Sequence, residues 1–318
     1  MSYTIAGTGY ALPKRVVTNG QLSEIVDTSN EWIITRTGIE ERRVLTDESL
    51  TELALQAAKM AMANAKIKST EIDLIICATI RSDTITPSLA CTIAEHIGCT
   101  APAFDVNAAC VGLIYAMEIA DSFMASGKAK NILILTAEAM SKLVDWTDRS
   151  TCVLFGDGAG AVVLQPGRSR LACSMQSAAN NGSILMPNTE GENSPFNKHK
   201  QDKMVVQMDG GEVYKFAVSA FAKRSEEVCA MAGIVPTEID WILPHQANLR
   251  IIDAALKKMG VHKERALTNI HKYGNMSATS IMVLLAEEIE RGRFKRGDKL
   301  LLVSFGAGLT SGALLIEY

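Results

Sequence analysis

Three residues far apart in the chain have side chains suited to acyl transfer: Cys110, His245 and Asn275. Cys110 lies in "AFDVNAACVGLIYAME", where an apolar strand passes through small residues into an amphipathic helix. A thiol there feels the positive end of the helix dipole and unpaired backbone N–H groups, which favour the thiolate. The competing reading is structural, because free cysteine is among the most buried residue types. Of five histidines, His245 is the one that closes an apolar strand, in "DWILPHQANLR", and Asn248 beyond it can cap a following helix. By itself it reads first as a capping or core histidine. Asn275 sits in "HKYGNMSATS", a loop that Gly274 allows to be tight and that Ser277 can end by starting a helix. Together the three supply a nucleophile, an imidazole and an amide donor, the parts needed for acyl transfer through a thioester. The run "FGAGLTSG", containing Gly306, adds backbone N–H groups that can join that of Cys110 around a developing oxyanion.

The elements that must position these residues alternate along the chain. A chain of 318 residues with 47% apolar and 21% charged content can bury a large core. Net charge is −3 and no Lys and Arg run is long enough to follow a phosphate backbone, so nucleic acid is excluded as a partner. The start, "MSYTIAGTGYALP", has neither a basic segment nor an apolar leader, and no window has the length of a membrane span. A cytoplasmic protein is expected. The seven cysteines are scattered and never spaced as C-x-x-C, which points to reduced thiols and away from structural zinc.

Helical periodicity falls near residues 53–65, after Cys110, near 212–232, from Leu249 and from Ser277. Strand-like runs are "DLIICAT", "AFDVN", "NILILTAE", "GAGAVVLQ", "DWILPHQ", "KLLLVSFGAG" and "GALLIEY". This is an α/β pattern. "STEIDLIICAT" and "PTEIDWILPHQ" look like copies, with Thr70 and Thr237 separated by 167 positions, and "NILILTAE" and "KLLLVSFG" repeat at nearly that offset. We read two similar α/β halves, residues 1–168 and 169–318, with an insertion in the first at about 20–45. In α/β sheets ligands bind beyond the C-terminal strand ends, so Cys110, His245 and the Gly306 turn should converge. The glycines of "FGDGAGAVVL" imitate a dinucleotide loop but precede a strand rather than open a helix, which excludes NAD.

The segments "FDVNAACVG", "DRSTCVLFGDGAGAVVL", "DWILPHQANLRI", "YGNMSATS" and "SFGAGLTSGALL" together resemble the β-ketoacyl-acyl-carrier-protein synthase III family, condensing enzymes of the thiolase fold. The resemblance covers nearly the whole chain. It implies a layered α-β-α-β-α architecture and decarboxylative condensation of an acyl-CoA primer with malonyl-acyl-carrier protein. By that resemblance Cys110 takes the acyl group, and His245 and Asn275 stabilise the enolate formed as carbon dioxide leaves. It implies oxyanion contacts at Cys110 and Gly306, and CoA contacts at Trp32, Arg36 and Arg149. It also implies an acyl pocket at Thr86, Arg81 and Phe305, and a carrier-protein surface at Lys215, Arg250, Lys257 and Lys258. A homodimer is implied; neither a metal nor a cofactor is, beyond the CoA thioester substrate.

A papain-like protease also runs Cys, His, Asn, but the repeat and the lack of a "CGSCW" signature oppose it. Three positions depart from the family pattern: Thr86 replaces a frequent aromatic, and Asn107 and Met276 flank Cys110 and Asn275 where Ala and Thr are common. The ordinary fatty-acid starter role is the expectation. The alternatives are a specialised primer, such as glutaryl-CoA paired with Arg81 on a route to biotin, and a non-catalytic carrier-binding scaffold.

Overall fold

A computed structural model describes residues 2–178, 182–185 and 204–318 of the chain. Its strands are β1 (Ser2–Ala11), β2 (Val16–Thr18), β3 (Glu41–Arg43), β4 (Leu74–Ala78), β5 (Ala103–Val106), β6 (Ile132–Ala139) and β7 (Asp157–Gly167). They continue as β8 (Arg170–Ser177), β9 (Ile184–Leu185), β10 (Gln207–Met208), β11 (Trp241–Pro244), β12 (Lys299–Gly306) and β13 (Thr310–Glu317). The helices are α1 (Asn19–Ser23), α2 (Asn30–Thr37), α3 (Leu50–Ala65), α4 (Leu89–Ile97), α5 (Gly112–Ala125), α6 (Gly210–Ala232), α7 (Leu249–Met259), α8 (Ile270–Tyr273) and α9 (Thr279–Glu290).

The two sheets repeat one pattern. In the first, of five strands ordered β1-β7-β6-β4-β5, β6 lies parallel to β4 and antiparallel to β7, and β7 antiparallel to β1. In the second, ordered β11-β12-β13-β8, β12 lies parallel to β11 and antiparallel to β13, and β13 antiparallel to β8. The repeated sequences "EIDLIICAT" and "EIDWILPHQ" thus form the equivalent strands β4 and β11. Where the first sheet adds β5, the second has only a single parallel bridge from Ile242 to Ala266.

Hydrophobic burial stacks these sheets into five layers. α5 and α9 fill the middle, where Ile114, Met117, Met282 and Leu285 meet residues of both sheets. α3 and α4 cover the outer face of the first sheet, and helical residues from α6 and α7 that of the second. All eight residues of β6 are buried, as a strand covered on both faces requires. In α4, Leu89, Ala90, Ile93 and Ala94 all face the core beneath β4 and β6. Gly158 and Gly160 lie within β7, where an added Cβ would stand 2.9 Å from Met276 Sδ and 2.6 Å from Met282 Cγ. They admit the end of α9 and its preceding turn to the sheet.

Local chemistry sets the boundaries. Ser49 and Glu52 form a reciprocal capping box at α3, and Asn248 caps α7 by accepting the Arg250 N–H. The helix expected from Ser277 begins at Thr279 instead, because Ser277 is left-handed with φ 50° and its N–H bonds the Asn275 Oδ1. The insertion closes as the β2/β3 hairpin around α1 and α2. Arg42 of β3 is fully buried and donates to Val17 O, Asn19 Oδ1 and Val153 O at 3.2, 2.8 and 2.8 Å, which pins the insertion to the approach to β7. Burial lowers its pKa to about 10. Most of the polar passage from 178 to 203 lies outside the described residues.

Candidate active site

A cavity of about 950 Å³ opens where the two halves meet, and Cys110, His245 and Asn275 all line it. Each arrives from a different strand or helix end. Cys110 follows β5 on a single turn of 3-10 helix, Ala109–Val111, that leads into α5. Ala109 is held at φ 46°, a left-handed conformation that costs an L-residue about 1–2 kcal/mol. The Asn107 Oδ1 accepts the Ala109 N–H at 3.1 Å and braces that turn. From the second half, Ser304 donates its hydroxyl to the Cys110 carbonyl at 2.7 Å. Gly306 approaches so closely that an added Cβ would lie 2.9 Å from the Cys110 N. Glycine is required there for contact, not for flexibility.

The helix end does not leave Cys110 as a standing thiolate. Burial pushes the thiol pKa up to about 12, with Ser277 lowering it and Glu138 raising it further. His245 is 2% exposed at the end of β11, its N–H bonded to the Val303 carbonyl at 2.8 Å. Burial lowers its pKa to about 3, so the ring is neutral in ordinary buffers. Its ring packs against Phe305 in a T-shaped contact, with 5.4 Å between ring centroids. Nδ1 is sealed with no partner, which places the ring's one proton on Nε2, since a buried lone pair costs less than an orphaned N–H.

Asn275 is fixed by its own backbone. Its N–H donates to the Leu154 carbonyl at 2.9 Å, and its carbonyl accepts the Gly156 N–H at 3.0 Å. The Ser277 N–H bonds its Oδ1 at 2.8 Å, which leaves the amide N–H₂ as the group to offer a ligand. Gly274 makes this approach possible: φ is 63°, and a Cβ would lie 2.8 Å from the Leu154 carbonyl. Two neutral donors therefore share the cavity with one thiol.

The cavity mouth carries cationic and aromatic groups. Arg36 and Arg149 stand over the Trp32 ring at 4.8 and 5.2 Å from its centroid. Trp32 and Arg36 line the cavity, whereas Arg149 sits just outside and donates to the Asp27 carbonyl at 2.8 Å. Asn248 ties this entrance to α7 by donating to the Arg36 carbonyl at 2.9 Å. Lys215 and Arg250 lie on the rim, while Lys257 and Lys258 are exposed in the last turn of α7 away from it.

The chain matches the family described as 3-oxoacyl-[acyl-carrier-protein (ACP)] synthase III over residues 104–181, and the C-terminal model of that family over residues 229–318. It is 46% identical over 322 residues to the β-ketoacyl-[acyl-carrier-protein] synthase III of Aquifex aeolicus, covering 100% of both chains. The chain belongs to this synthase III family. It is 44% identical to the Clostridium perfringens (strain SM101) member, over 98% of both. The crystal structure of the Aquifex aeolicus 3-oxoacyl-[acyl-carrier-protein] synthase III superposes with TM-score 0.93 at 45% identity, over 99% of this chain and 100% of that one. The thiolase-like α/β layering of the family is the fold described above.

Two residues expected at the acyl pocket are not brought to the cavity of this chain. Thr86 lies on an exposed loop, and Arg81 contacts Met204 Sδ at 3.5 Å. The loop is drawn aside because the Asp83 carboxylate accepts the Thr51 N–H and hydroxyl at 2.9 and 2.8 Å and pairs with Lys142 at 3.6 Å. Phe305 does line the cavity, and Asn107 lines it too. Met276 points instead into the core against Val283 and Tyr273. Sequence reasoning missed the apolar wall of Ile80, Met140, Ile184 and Val206, because scattered apolar residues carry no signal of facing a cavity. It also missed Glu138, a fully buried acid, although an acid closing the apolar run "NILILTAE" is a visible oddity.

Proposed function

We propose that the protein performs the first condensation of fatty-acid synthesis, joining an acyl-CoA primer to malonyl-acyl-carrier protein through an acyl-Cys110 intermediate. It is an acyltransferase of the condensing type. The observation that carries the reading is the convergence of one thiol with two neutral hydrogen-bond donors, His245 and Asn275, on a single cavity.

In the first half-reaction the Cys110 sulfur attacks the thioester carbonyl, and backbone N–H groups of Cys110 and Gly306 hold the oxyanion. The carbon–sulfur bond to CoA breaks, and CoA leaves with the thiol proton. The Trp32, Arg36 and Arg149 cluster suits the adenine ring and phosphates of CoA, by stacking and charge. In the second, malonyl-carrier protein loses carbon dioxide, and the electron pair of that carbon–carbon bond becomes an enolate. The His245 Nε2–H and Asn275 amide donate to its oxygen. The enolate carbon attacks the acyl-cysteine carbonyl, the carbon–sulfur bond breaks, and the Cys110 thiolate takes up a proton. The products are a 3-oxoacyl-carrier protein, CoA and carbon dioxide.

A histidine held neutral serves this step better than a cation, because it donates without having first to lose a proton. Lys215 on α6 and Arg250, Lys257 and Lys258 on α7 present positive charge at and beyond the rim, suited to an acidic carrier protein. The protein works in the cytoplasm as a homodimer. Seven unpaired cysteines fit a reducing compartment. An Ile85 that is 90% exposed beside Thr86 fits a loop covered by a second copy. Among the described residues no helix is long and apolar enough to cross a membrane.

The test is intact mass after mixing the protein separately with acetyl-, butyryl-, isobutyryl-, octanoyl- and glutaryl-CoA. One retained acyl group, absent in Cys110→Ala and discharged by malonyl-carrier protein as a 3-oxoacyl product, is the expected result. Failure to retain an acyl group from any donor overturns the reading.

A further inference from the structure

His245 and Asn275 must meet one enolate oxygen, yet they belong to different elements. His245 follows β11, whereas Asn275 follows α8, a helix of four residues that is too short to hold its own place. The residue after His245 is Gln246, which is 0% exposed and does not line the cavity that His245 and Ala247 both line. Its Oε1 accepts the N–H groups of Asn269 and Ile270 at 3.1 and 3.2 Å. Its Nε2 donates to the Pro244 carbonyl at 2.7 Å and reaches the Leu267 carbonyl at 3.5 Å. Two N–H groups on one side and two carbonyls on the other fix which way the amide faces, and they use its whole hydrogen-bonding capacity.

The two N–H groups held by Gln246 open α8. Asn269 stands at the N-cap position, but its side chain makes no capping bond there. Its Nδ2 donates instead to the Glu287 Oε2 on α9 at 2.9 Å. Tyr273, the last residue of α8, donates its hydroxyl to the Oε1 of the same carboxylate at 2.6 Å. Buried N–H groups at a helix start need an acceptor, and Gln246 supplies from 23 positions upstream the one that Asn269 does not. Glu287 thus fixes both ends of α8 against α9, and Gln246 fixes its start against the end of β11.

We propose that Gln246 is the spacer between the two enolate donors: by capping α8 from the strand end that carries His245, it sets where the Asn275 amide stands relative to the His245 ring. The proposal rests on the reading of His245 and Asn275 as those donors. Gln246 is a positioning residue, since it lies outside the cavity and acts through its neighbours. Two donors that must reach one oxygen tolerate little change in their separation, and a shift of about 1 Å is enough to cost a large part of the rate. Acyl transfer from CoA uses Cys110 and the oxyanion N–H groups, so it does not depend on that separation. Loss of Gln246 is therefore felt in discharge by malonyl-carrier protein and not in acylation.

The experiment follows the two half-reactions separately in Gln246→Met, which keeps the volume and removes the amide. Intact mass with the acyl-CoA that labels the native protein should show acylation within about twofold of native, while discharge by saturating malonyl-carrier protein slows about tenfold and its half-saturating concentration stays unchanged. Gln246→Asn, one methylene too short to reach from β11 to α8, gives the same split should the methionine variant not fold. Gln246→Glu keeps the acceptor for both N–H groups and, with its carboxyl held protonated by burial, the donor as well. At pH 6 it should recover discharge to within about threefold of native. Amide hydrogen exchange, read by mass over residues 268–276, should be about tenfold faster in Gln246→Met, with α7 unchanged. Unslowed discharge, an equal loss in both half-reactions, or unchanged exchange overturns the proposal. Exchange reads the brace whether or not the protein condenses. Faster exchange in the variant, with no acyl-enzyme on the native protein from any donor, would therefore count against the function and not against the brace.

Discussion

The turn before α5 and the turn before α9 stand at corresponding places in the two halves, and each carries a residue of the triad. Both hold one non-glycine residue in the left-handed region, Ala109 at φ 46° and Ser277 at φ 50°. Both are braced by an asparagine Oδ1 that accepts the N–H of that residue, Asn107 for Ala109 and Asn275 for Ser277. They differ in what the turn delivers. In the first half the residue after the strained position presents its side chain, the Cys110 thiol. In the second half the bracing asparagine itself is presented, its oxygen consumed by the turn and its nitrogen left over. One local device thus supplies a nucleophile on one side and an amide donor on the other. Duplication therefore made the frame, and divergence within two short turns made the chemistry.

The sharpest way to separate the two turns is to remove what each delivers. Cys110→Ala should abolish acyl-enzyme formation, with condensation reduced at least about 10³-fold, since a missing nucleophile cannot be replaced by binding. Asn275→Ala should do the opposite in the first half-reaction. Intact mass should still show acyl transfer from acyl-CoA, while discharge by malonyl-carrier protein slows about 10²-fold, the scale of one lost donor. If Asn275→Ala abolished acylation as well, the division of labour between the turns would be wrong.

Gly306→Ala tests the contact by which the second half presses on the first. A Cβ 2.9 Å from the Cys110 N and 3.1 Å from its Cβ must push the Ala109–Val111 turn aside. Acylation should fall about 10²-fold with a stability loss of about 1–3 kcal/mol, read from a urea midpoint.

His245 gives a pH-dependent counterpart. Its folded pKa, lowered to about 3, lies below the ordinary value, so the unfolded chain takes up a proton that the folded one refuses. The stability it contributes is complete above about pH 6.5 and is lost as pH falls toward 3. The native protein should lose roughly 2 kcal/mol between pH 7 and 5 that His245→Asn does not lose, measured by urea unfolding. Equal pH slopes for the two would show that the imidazole is not held neutral by burial.

The smallest effect belongs to the strain. Ala109→Gly should leave stability within about 1 kcal/mol of native, because relief of the left-handed cost is offset by glycine's extra entropy in the unfolded chain. A large destabilisation would mean that the Ala109 methyl, and not the Asn107 brace, holds the turn.

Much of this was legible beforehand. "EIDLIICAT" and "EIDWILPHQ" announced equivalent strands, because an apolar run after a short polar connection has few other uses in an α/β chain. The ends of those strands pointed to the cavity, and the glycines of "FGDGAG" lead into a strand, β7, as the sequence reading had them. Other features were not legible. The start of α9 was misplaced by two residues, since propensity cannot show that Ser277 is forced left-handed by its bond to Asn275. The path of the Thr86 loop was not legible either, because it is held to the start of α3 by a bond from the Thr51 N–H to Asp83, 32 positions away. Nor was the choice between an activated and a buried thiol legible, because burial, the leading influence on the Cys110 pKa, is set by packing.

The sequence by itself determined the secondary elements, their duplication and the residue types able to do the chemistry, because strand and helix periodicity and side-chain reactivity are local properties. Only the tertiary structure decided the protonation states and the lining of the cavity. Both depend on which groups are desolvated together, and that is settled by packing between residues more than a hundred positions apart, as Cys110 and Ser277 show.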